Sequence, residues 1–154
     1  MTRGEAWSLH ASNVLVAGTG VVYAWMRYLA EPADPYAVVN HPLQPLVQHL
    51  HILVAPLLVF VAGVIFKQHV WPRVRTGFKP RRRVGLTLAL TLVPMVVSGY
   101  LLQTTGDPTW NTIWVWVHVI TSVLWVLGYA LHLVSPRPES SVASPAPEPP
   151  RAPG

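Results

Sequence analysis

The chain has 154 residues, of which 51% are hydrophobic and only 11% are charged. Soluble domains carry about a quarter charged residues, so this composition indicates a membrane protein. The sequence contains no cysteine, which excludes disulfides, thiolate-bound haem and cysteine-bound iron–sulfur clusters within this chain. Its net charge of +5 is concentrated in loops beside apolar segments, and we therefore expect it to set membrane orientation and not to bind nucleic acid.

Four apolar stretches are long enough to cross about 30 Å of hydrocarbon as helices. They cover residues 6–29, 45–66, 84–103 and 112–134. Short polar connections join them, which predicts an all-α membrane protein, an up-down-up-down bundle of four transmembrane helices over residues 1–135. We expect the first stretch to be retained, because it lacks a convincing small-residue cleavage site.

The distribution of basic residues predicts the orientation of the bundle. Ten of the eleven lie at the N-terminus, in the loop between the second and third spans, or after the fourth span. The other two loops, residues 30–44 and 104–111, carry acidic residues and no lysine or arginine. We therefore expect both termini to be cytoplasmic. Residues 136–154 are rich in proline, serine and alanine, which predicts a disordered cytoplasmic tail.

Seven histidines are many for so apolar a chain, and an ionisable side chain inside a membrane segment is a functional candidate by default. His10 lies near the cytoplasmic end of the first span. His49 and His51 lie near the outer end of the second span, and His69 lies at its inner boundary. The third span contains no histidine.

The fourth span carries two histidines, His118 and His132, 14 residues apart. They share one helix face and are separated by about 21 Å along the axis. Sorted by depth, the membrane histidines form an outer and an inner layer. The pairs are His118 with His51 or His49 outside, and His132 with His10 or His69 inside. Two imidazoles from different helices are the axial ligand set of a six-coordinate haem iron, so each layer is a candidate haem site.

Two positions on the second span compete for the outer layer. His49 and His51 point about 200° apart, so only one of them faces the bundle. We favour His51, because Ala55 follows one turn later and begins an apolar stripe. His69 shares the face of His51 by the same count, but it lies about 6 Å too far along the axis to match the spacing on the fourth span.

Arg27 is the only basic residue expected near the outer surface. It is a candidate partner for a haem propionate, and snorkelling of its side chain from a helix end explains it equally well.

Three segments of the chain resemble the membrane cytochrome b subunits of respiratory formate dehydrogenases and nickel–iron hydrogenases, a cytochrome b561-like four-helix family. They are SLHASNVLVAGTG in the first span, LHILVAPLLVF in the second and HVITSVLWVLGYALH in the fourth. In that family four helices carry two b haems, bound by one histidine from the first helix, one from the second and two from the fourth. By position, the resemblance implies that His51 and His118 bind the outer haem, and that His10 and His132 bind the inner one.

The resemblance implies a dihaem b-type cytochrome that transfers electrons across the bacterial inner membrane. Its partners would be the quinone pool and an extracytoplasmic redox subunit with iron–sulfur clusters or c-type haems, in a hetero-oligomeric complex. The family's quinone lies near the inner haem, which makes Lys67, His69 and the start of the third span candidate quinone contacts. Two alternatives stay open: a non-redox scaffold or assembly subunit, and a pigment-binding accessory subunit whose histidines ligate chlorophyll magnesium.

Overall fold

A computed structural model describes residues 2–76 and 82–134 of the chain. Every regular element in these two stretches is helical. The elements are α1 (Arg3–Tyr28), α2 (Gln44–Ile65), a π-helical turn (Phe66–Val70), α3 (Trp71–Arg75), α4 (Arg82–Thr104) and α5 (Pro108–Val134). The predicted all-α fold is confirmed over the described residues, whereas the proposed tail at 136–154 lies outside them.

Three helical stretches in the described part of the chain are long and apolar enough to cross a membrane. They are Gln44–Gln68, Gly85–Thr104 and Pro108–Val134. These stretches confirm the second, third and fourth predicted spans as helices of transmembrane length and composition. Large apolar side chains also face outward along them: Leu53 and Phe60, for example, are each 72% exposed. Such a surface suits lipid and would be unfavourable in water.

The first predicted span forms the 26-residue helix α1, but its mean hydropathy is lower than that of the other three long helices. Part of the reason is that polar residues of α1 face inward, since Ser12 and Asn13 are both buried. Its outer face is apolar, with Val14 and Val21 72% and 69% exposed. The average therefore understates how well the surface of α1 suits lipid, and its passage through a membrane stays a prediction.

Local signals in the sequence explain where α1 and α5 begin. The hydroxyl of Thr2 accepts a hydrogen bond from the backbone N–H of Glu5, and the Glu5 carboxylate accepts one from the backbone N–H of Thr2. This capping box starts α1. At α5, the Asp107 carboxylate accepts hydrogen bonds from the backbone N–H groups of Thr109 and Trp110. Both caps satisfy N–H groups that lack partners within the helix.

The long helices pack as two pairs. α1 lies along α2, and α4 lies along α5, whereas the backbones of the two pairs approach each other at few points. Side chains fill the space between the pairs, and the buried cluster at the centre consists of Leu58, Met95 and Trp125. The apolar core between the pairs is therefore narrow. Polar contacts also hold the two pairs together.

The end of α2 differs from a regular helix. The π-helical turn at Phe66–Val70 has i→i+5 hydrogen bonding and turns through less than 100° per residue. A count of 100° per residue from His51 therefore fails beyond Ile65, and the prediction that His69 shares the face of His51 loses its basis. The side chain of His69 lies outside the described part of the structure.

A buried hydrogen bond joins the two helix pairs at the centre of the bundle. The indole N–H of Trp125 donates to the side-chain oxygen of Asn13 at 2.7 Å. The Asn13 amide donates in turn to the backbone carbonyl of Leu9 at 2.9 Å. Both residues are less than a tenth exposed. Neither polar group has access to solvent, so each needs the other as its partner.

Replacing Asn13 by leucine should therefore lower the stability of the bundle by about 1 kcal/mol, because it leaves the Trp125 N–H without an acceptor. Thermal unfolding in detergent measures the change. Asn13→Leu combined with Trp125→Phe should be less destabilised than the sum of the single variants. Thr112→Val, which removes only an exposed bond within α5, is the control. Additive effects of the two core substitutions would contradict the coupling.

Candidate functional site

The imidazoles of His51 and His118 meet between the two helix pairs. His51 lies on the second turn of α2 and His118 lies on the third turn of α5, and both are half-buried. Their ring centroids are 6.3 Å apart and their planes are inclined by 80°. The structure thus brings together the two residues that the sequence places in the outer layer, and we call them the outer pair.

Hydrogen bonds of His118 fix which ring nitrogen carries the proton. Its Nδ1 lies 2.9 Å from the backbone carbonyl oxygen of Met95 and 3.3 Å from the Ser98 hydroxyl. A carbonyl oxygen only accepts, so Nδ1 of His118 carries the hydrogen and donates it. In the neutral ring, Nε2 then keeps its lone pair. Ser98 is fully buried and bonds the carbonyl oxygen of Pro94 at 2.6 Å, which holds the α4 side of this contact in place.

His51 has an equivalent contact on α1. Its Nδ1 lies 3.1 Å from the hydroxyl oxygen of Thr19. The Thr19 hydroxyl donates its own hydrogen to the carbonyl oxygen of Leu15, 2.7 Å away. The Thr19 oxygen therefore accepts from Nδ1 of His51, and Nε2 of His51 also keeps its lone pair. Metal-binding histidines commonly show this arrangement, in which one nitrogen donates to a fixed acceptor and the other binds the metal.

The separation of the outer pair suits a shared metal atom. An imidazole nitrogen binds a metal at about 2.0 Å, and the ring centroid lies about 1 Å further away, so two imidazoles on opposite sides of one atom have centroids about 6 Å apart. The observed 6.3 Å agrees with this value. Among the described residues no group of three or more His, Asp or Glu side chains forms a metal site. The protein therefore supplies two nitrogen donors here, which matches the axial ligand set of a porphyrin iron.

Glycine leaves room beside each ring of the outer pair. A Cβ atom added to Gly20 on α1 would lie 3.0 Å from Cε1 of His51. A Cβ atom added to Gly99 on α4 would lie 3.2 Å from Cε1 of His118. Both distances are tighter than ordinary Cβ contacts, so a methyl group at either position would displace the imidazole. Each glycine directly follows the hydroxyl residue that contacts the same histidine.

The inner layer is built around His10 on α1. Its Nδ1 forms a short hydrogen bond with the hydroxyl of Tyr129 on α5, and its ring packs edge-on against Trp7 with centroids 6.1 Å apart. Tyr129 precedes His132 by three residues, or about 4.5 Å along the helix. His132 itself is half-buried with a buried Nδ1. The bond to Tyr129 therefore places His10 beside the C-terminal part of α5, which also carries His132.

Three other polar residues, His49, His41 and Arg27, lie outside the outer pair. His49 is exposed on the outer surface of α2, so the structure favours His51 as the residue that faces the bundle. His41 lies in the loop before α2, where its Nδ1 accepts a hydrogen bond from the backbone N–H of Leu43. Arg27 lies in the last turn of α1, with its guanidinium bonded to the Tyr23 hydroxyl and its Cζ 5.7 Å from the centroid of the Tyr28 ring. A haem propionate as partner of Arg27 stays a prediction.

Several residues of the site were not predicted from the sequence. Thr19, Ser98 and the carbonyl group of Met95 set the ring nitrogens, and Asn13 bonds Trp125 between the two layers. A signal for two of them is present in the sequence. The pairs Thr19-Gly20 and Ser98-Gly99 are both a hydroxyl residue followed by glycine inside an apolar helix.

Gly99→Ala should displace the His118 ring and destabilise the protein by about 1 kcal/mol, the usual cost of overpacking a tight contact. Gly63→Ala is the matched control, because an added Cβ at Gly63 meets no atom within 4 Å. This control should be neutral or slightly stabilising, since alanine is the better helix former. Thermal unfolding of both variants measures the difference. Equal stabilities for the two would contradict the contact described at Gly99.

Comparisons with protein-family models, curated proteins and solved structures find no match to this chain, so the candidate site stands on its own residues and geometry.

Proposed function

We propose that this chain is a dihaem b-type cytochrome subunit that transfers electrons across the bacterial inner membrane. The outer pair carries the proposal: two half-buried imidazoles from different helices, 6.3 Å apart, each with Nδ1 bonded to a fixed acceptor. A lone structural histidine satisfies its N–H group and needs no second imidazole nearby. Two neighbouring imidazoles with centroids 6.3 Å apart suit a metal between them, and a porphyrin would supply the four remaining ligands.

The same proposal assigns the finer features of the fold. α1, α2, α4 and α5 form an up-down-up-down bundle of four membrane spans with both termini cytoplasmic, as the positive charges favour. His51 and His118 then bind the outer haem, and His10 and His132 bind the inner one. The 14-residue separation of the two histidines on α5 sets the distance between the haems along the membrane normal.

Bound haem supplies a one-electron iron couple at each layer, and the residues of this chain position it. Thr19 and the Met95 carbonyl orient the imidazoles of His51 and His118, and they would raise the basicity of these rings toward a bound iron, as partners of ligating histidines do. Gly20 and Gly99 leave room beside the rings. Between the layers, the Asn13–Trp125 bond and the apolar cluster fill the interior of the bundle. With haem bound at both layers, this packed protein would lie between the two iron couples.

The partners follow from this role. The chain exchanges electrons with the quinone pool on one side and with an extracytoplasmic subunit that carries iron–sulfur clusters or c-type haems on the other. The resemblance to cytochrome b subunits supports the quinone and the hetero-oligomeric complex. Within the described residues, the connections between α1 and α2 and between α4 and α5 contain no further regular element, which supports a separate subunit as the place of catalysis.

A second candidate, a membrane scaffold without redox cofactors, has one observation in its favour. The hydrogen bonds of His51 and His118 join α2 to α1 and α5 to α4, so these histidines also hold the helices of each pair together. The visible spectrum of the purified protein separates the two candidates. Reduced b-type bands and about two haems per chain support the cytochrome, and a colourless protein supports the scaffold.

Variants of the histidines test the assignment residue by residue. His51→Ala and His118→Ala should each remove one of two haems, because each leaves the outer iron with a single protein ligand. His49→Ala should retain both haems, since that side chain is exposed. Haem content per chain, measured by extraction and absorbance, gives the answer. Full haem content in His51→Ala, or equal losses in His49→Ala and His51→Ala, would contradict the outer site.

A further inference from the structure

The imidazole of His10 is held by a side chain of the other helix pair. The hydroxyl of Tyr129 on α5 forms a hydrogen bond with Nδ1 of His10, and the two ring centroids lie 5.9 Å apart with their planes inclined by 61°. Both side chains are half-buried. The imidazole also packs edge-on against Trp7 of its own helix, with an interplanar angle of 85°. Two aromatic side chains from different helices therefore orient the ring of His10.

A neighbouring bond keeps Tyr129 in place beside His10. Asn13 lies one turn after His10 on α1, Trp125 lies one turn before Tyr129 on α5, and the two side chains share a buried hydrogen bond of 2.7 Å. The two bonds thus run side by side between α1 and α5, in opposite order along the two helices. Trp125 is only 7% exposed, so this part of α5 cannot rotate without breaking a buried contact. The packing of the bundle therefore holds the Tyr129 hydroxyl at His10.

Tyr129 has the same relation to His10 as the acceptors of the outer pair have to their histidines. Nδ1 of His51 lies 3.1 Å from the hydroxyl oxygen of Thr19 on the adjacent helix. A phenol oxygen is likewise able to accept a hydrogen bond from an imidazole N–H group. With Nε2 of His10 as the nitrogen that binds iron, Nδ1 carries the hydrogen and the Tyr129 oxygen accepts it. Such an acceptor orients a ligating imidazole and raises its basicity.

We propose that Tyr129 is the positioning residue of the inner haem: its hydroxyl sets the orientation of the His10 ring and lowers the reduction potential of the inner iron. The proposal rests on the proposed function, because it requires iron on Nε2 of His10. A hydrogen bond accepted from Nδ1 increases electron donation by the imidazole, which stabilises ferric iron relative to ferrous iron. A tyrosine that only joined the two helix pairs would contribute to stability and leave the potential unchanged.

Tyr129→Phe tests the proposal, because it removes the hydroxyl and keeps the ring. The purified full-length variant should retain two haems, and an optical redox titration should show one midpoint potential raised and the other unchanged. Tyr100→Phe is the matched control. It removes the hydroxyl of a tyrosine that is 59% exposed on α4, and it should leave both potentials unchanged. Unchanged potentials in Tyr129→Phe would overturn the proposal. Loss of one haem would overturn it as well, because that result makes the phenol necessary for haem binding itself.

Two further backgrounds show which haem responds. His118→Ala should retain the inner haem alone, and adding Tyr129→Phe to it should raise the remaining potential. His132→Ala should retain the outer haem alone, and the same addition should leave its potential unchanged. A shift of the outer haem would indicate a general loosening of the bundle and would contradict the proposal.

Electron paramagnetic resonance reads the orientation of the His10 ring independently of the potential. Without the hydrogen bond the ring gains freedom to turn, so the low-spin ferric signal of the inner haem should shift or broaden in Tyr129→Phe while the outer signal stays the same. Failure of this proposal is distinct from failure of the proposed function. A wild-type protein without haem contradicts the proposed function, whereas two haems with unchanged signals and potentials in Tyr129→Phe contradict only the role of Tyr129.

Discussion

An imidazole inside an apolar bundle needs an acceptor for its N–H group, and this requirement organises the structure around the outer pair. The carbonyl oxygen of Met95 meets it for His118, and the Thr19 oxygen meets it for His51. Each bond settles the proton on Nδ1, and each therefore leaves Nε2 as a lone-pair donor in the neutral ring. The same bonds join α1 to α2 and α4 to α5. The contacts that build each helix pair are thus the contacts that leave Nε2 of its histidine free for the metal of the proposed function.

The two helix pairs provide a hydrogen-bond acceptor and space for a histidine ring in the same way. On α1, Thr19 accepts from one histidine and Gly20 makes space for its ring. On α4, Ser98 and Gly99 stand in the corresponding relation to the other histidine, with the Met95 carbonyl as the main acceptor. A helix without any histidine is therefore as much a part of the site as the helices that carry the rings. This accounts for the role of α4, which otherwise supplies only apolar surface.

The sequence predicted the long helices and the outer pair well, for physical reasons that are local. Runs of about twenty apolar residues form helices in any membrane context, and the alternation of faces along α2 separates His51 from His49. The direction of a side chain, taken as 100° per residue along the chain, was predicted wrongly where the backbone departs from the regular α-helix. This happens at the π-helical turn before His69. The contacts of Thr19 and Asn13 were not predicted, because the partner of a single polar residue depends on how helices distant in sequence pack together. The inner layer lies between these cases: the depth of His10 was predicted from its place in the first span, but its bond to Tyr129 needed the three-dimensional structure.

The account depends most directly on a metal held between His51 and His118. Electron paramagnetic resonance of the oxidised wild-type protein tests this, because the low-spin ferric signal depends on the angle between two axial imidazole planes. With the rings inclined by 80°, the outer haem should give a highly anisotropic low-spin signal, and His51→Ala should remove it while the second haem signal remains. A purified protein with no ferric haem signal, or with only high-spin iron, would contradict the account.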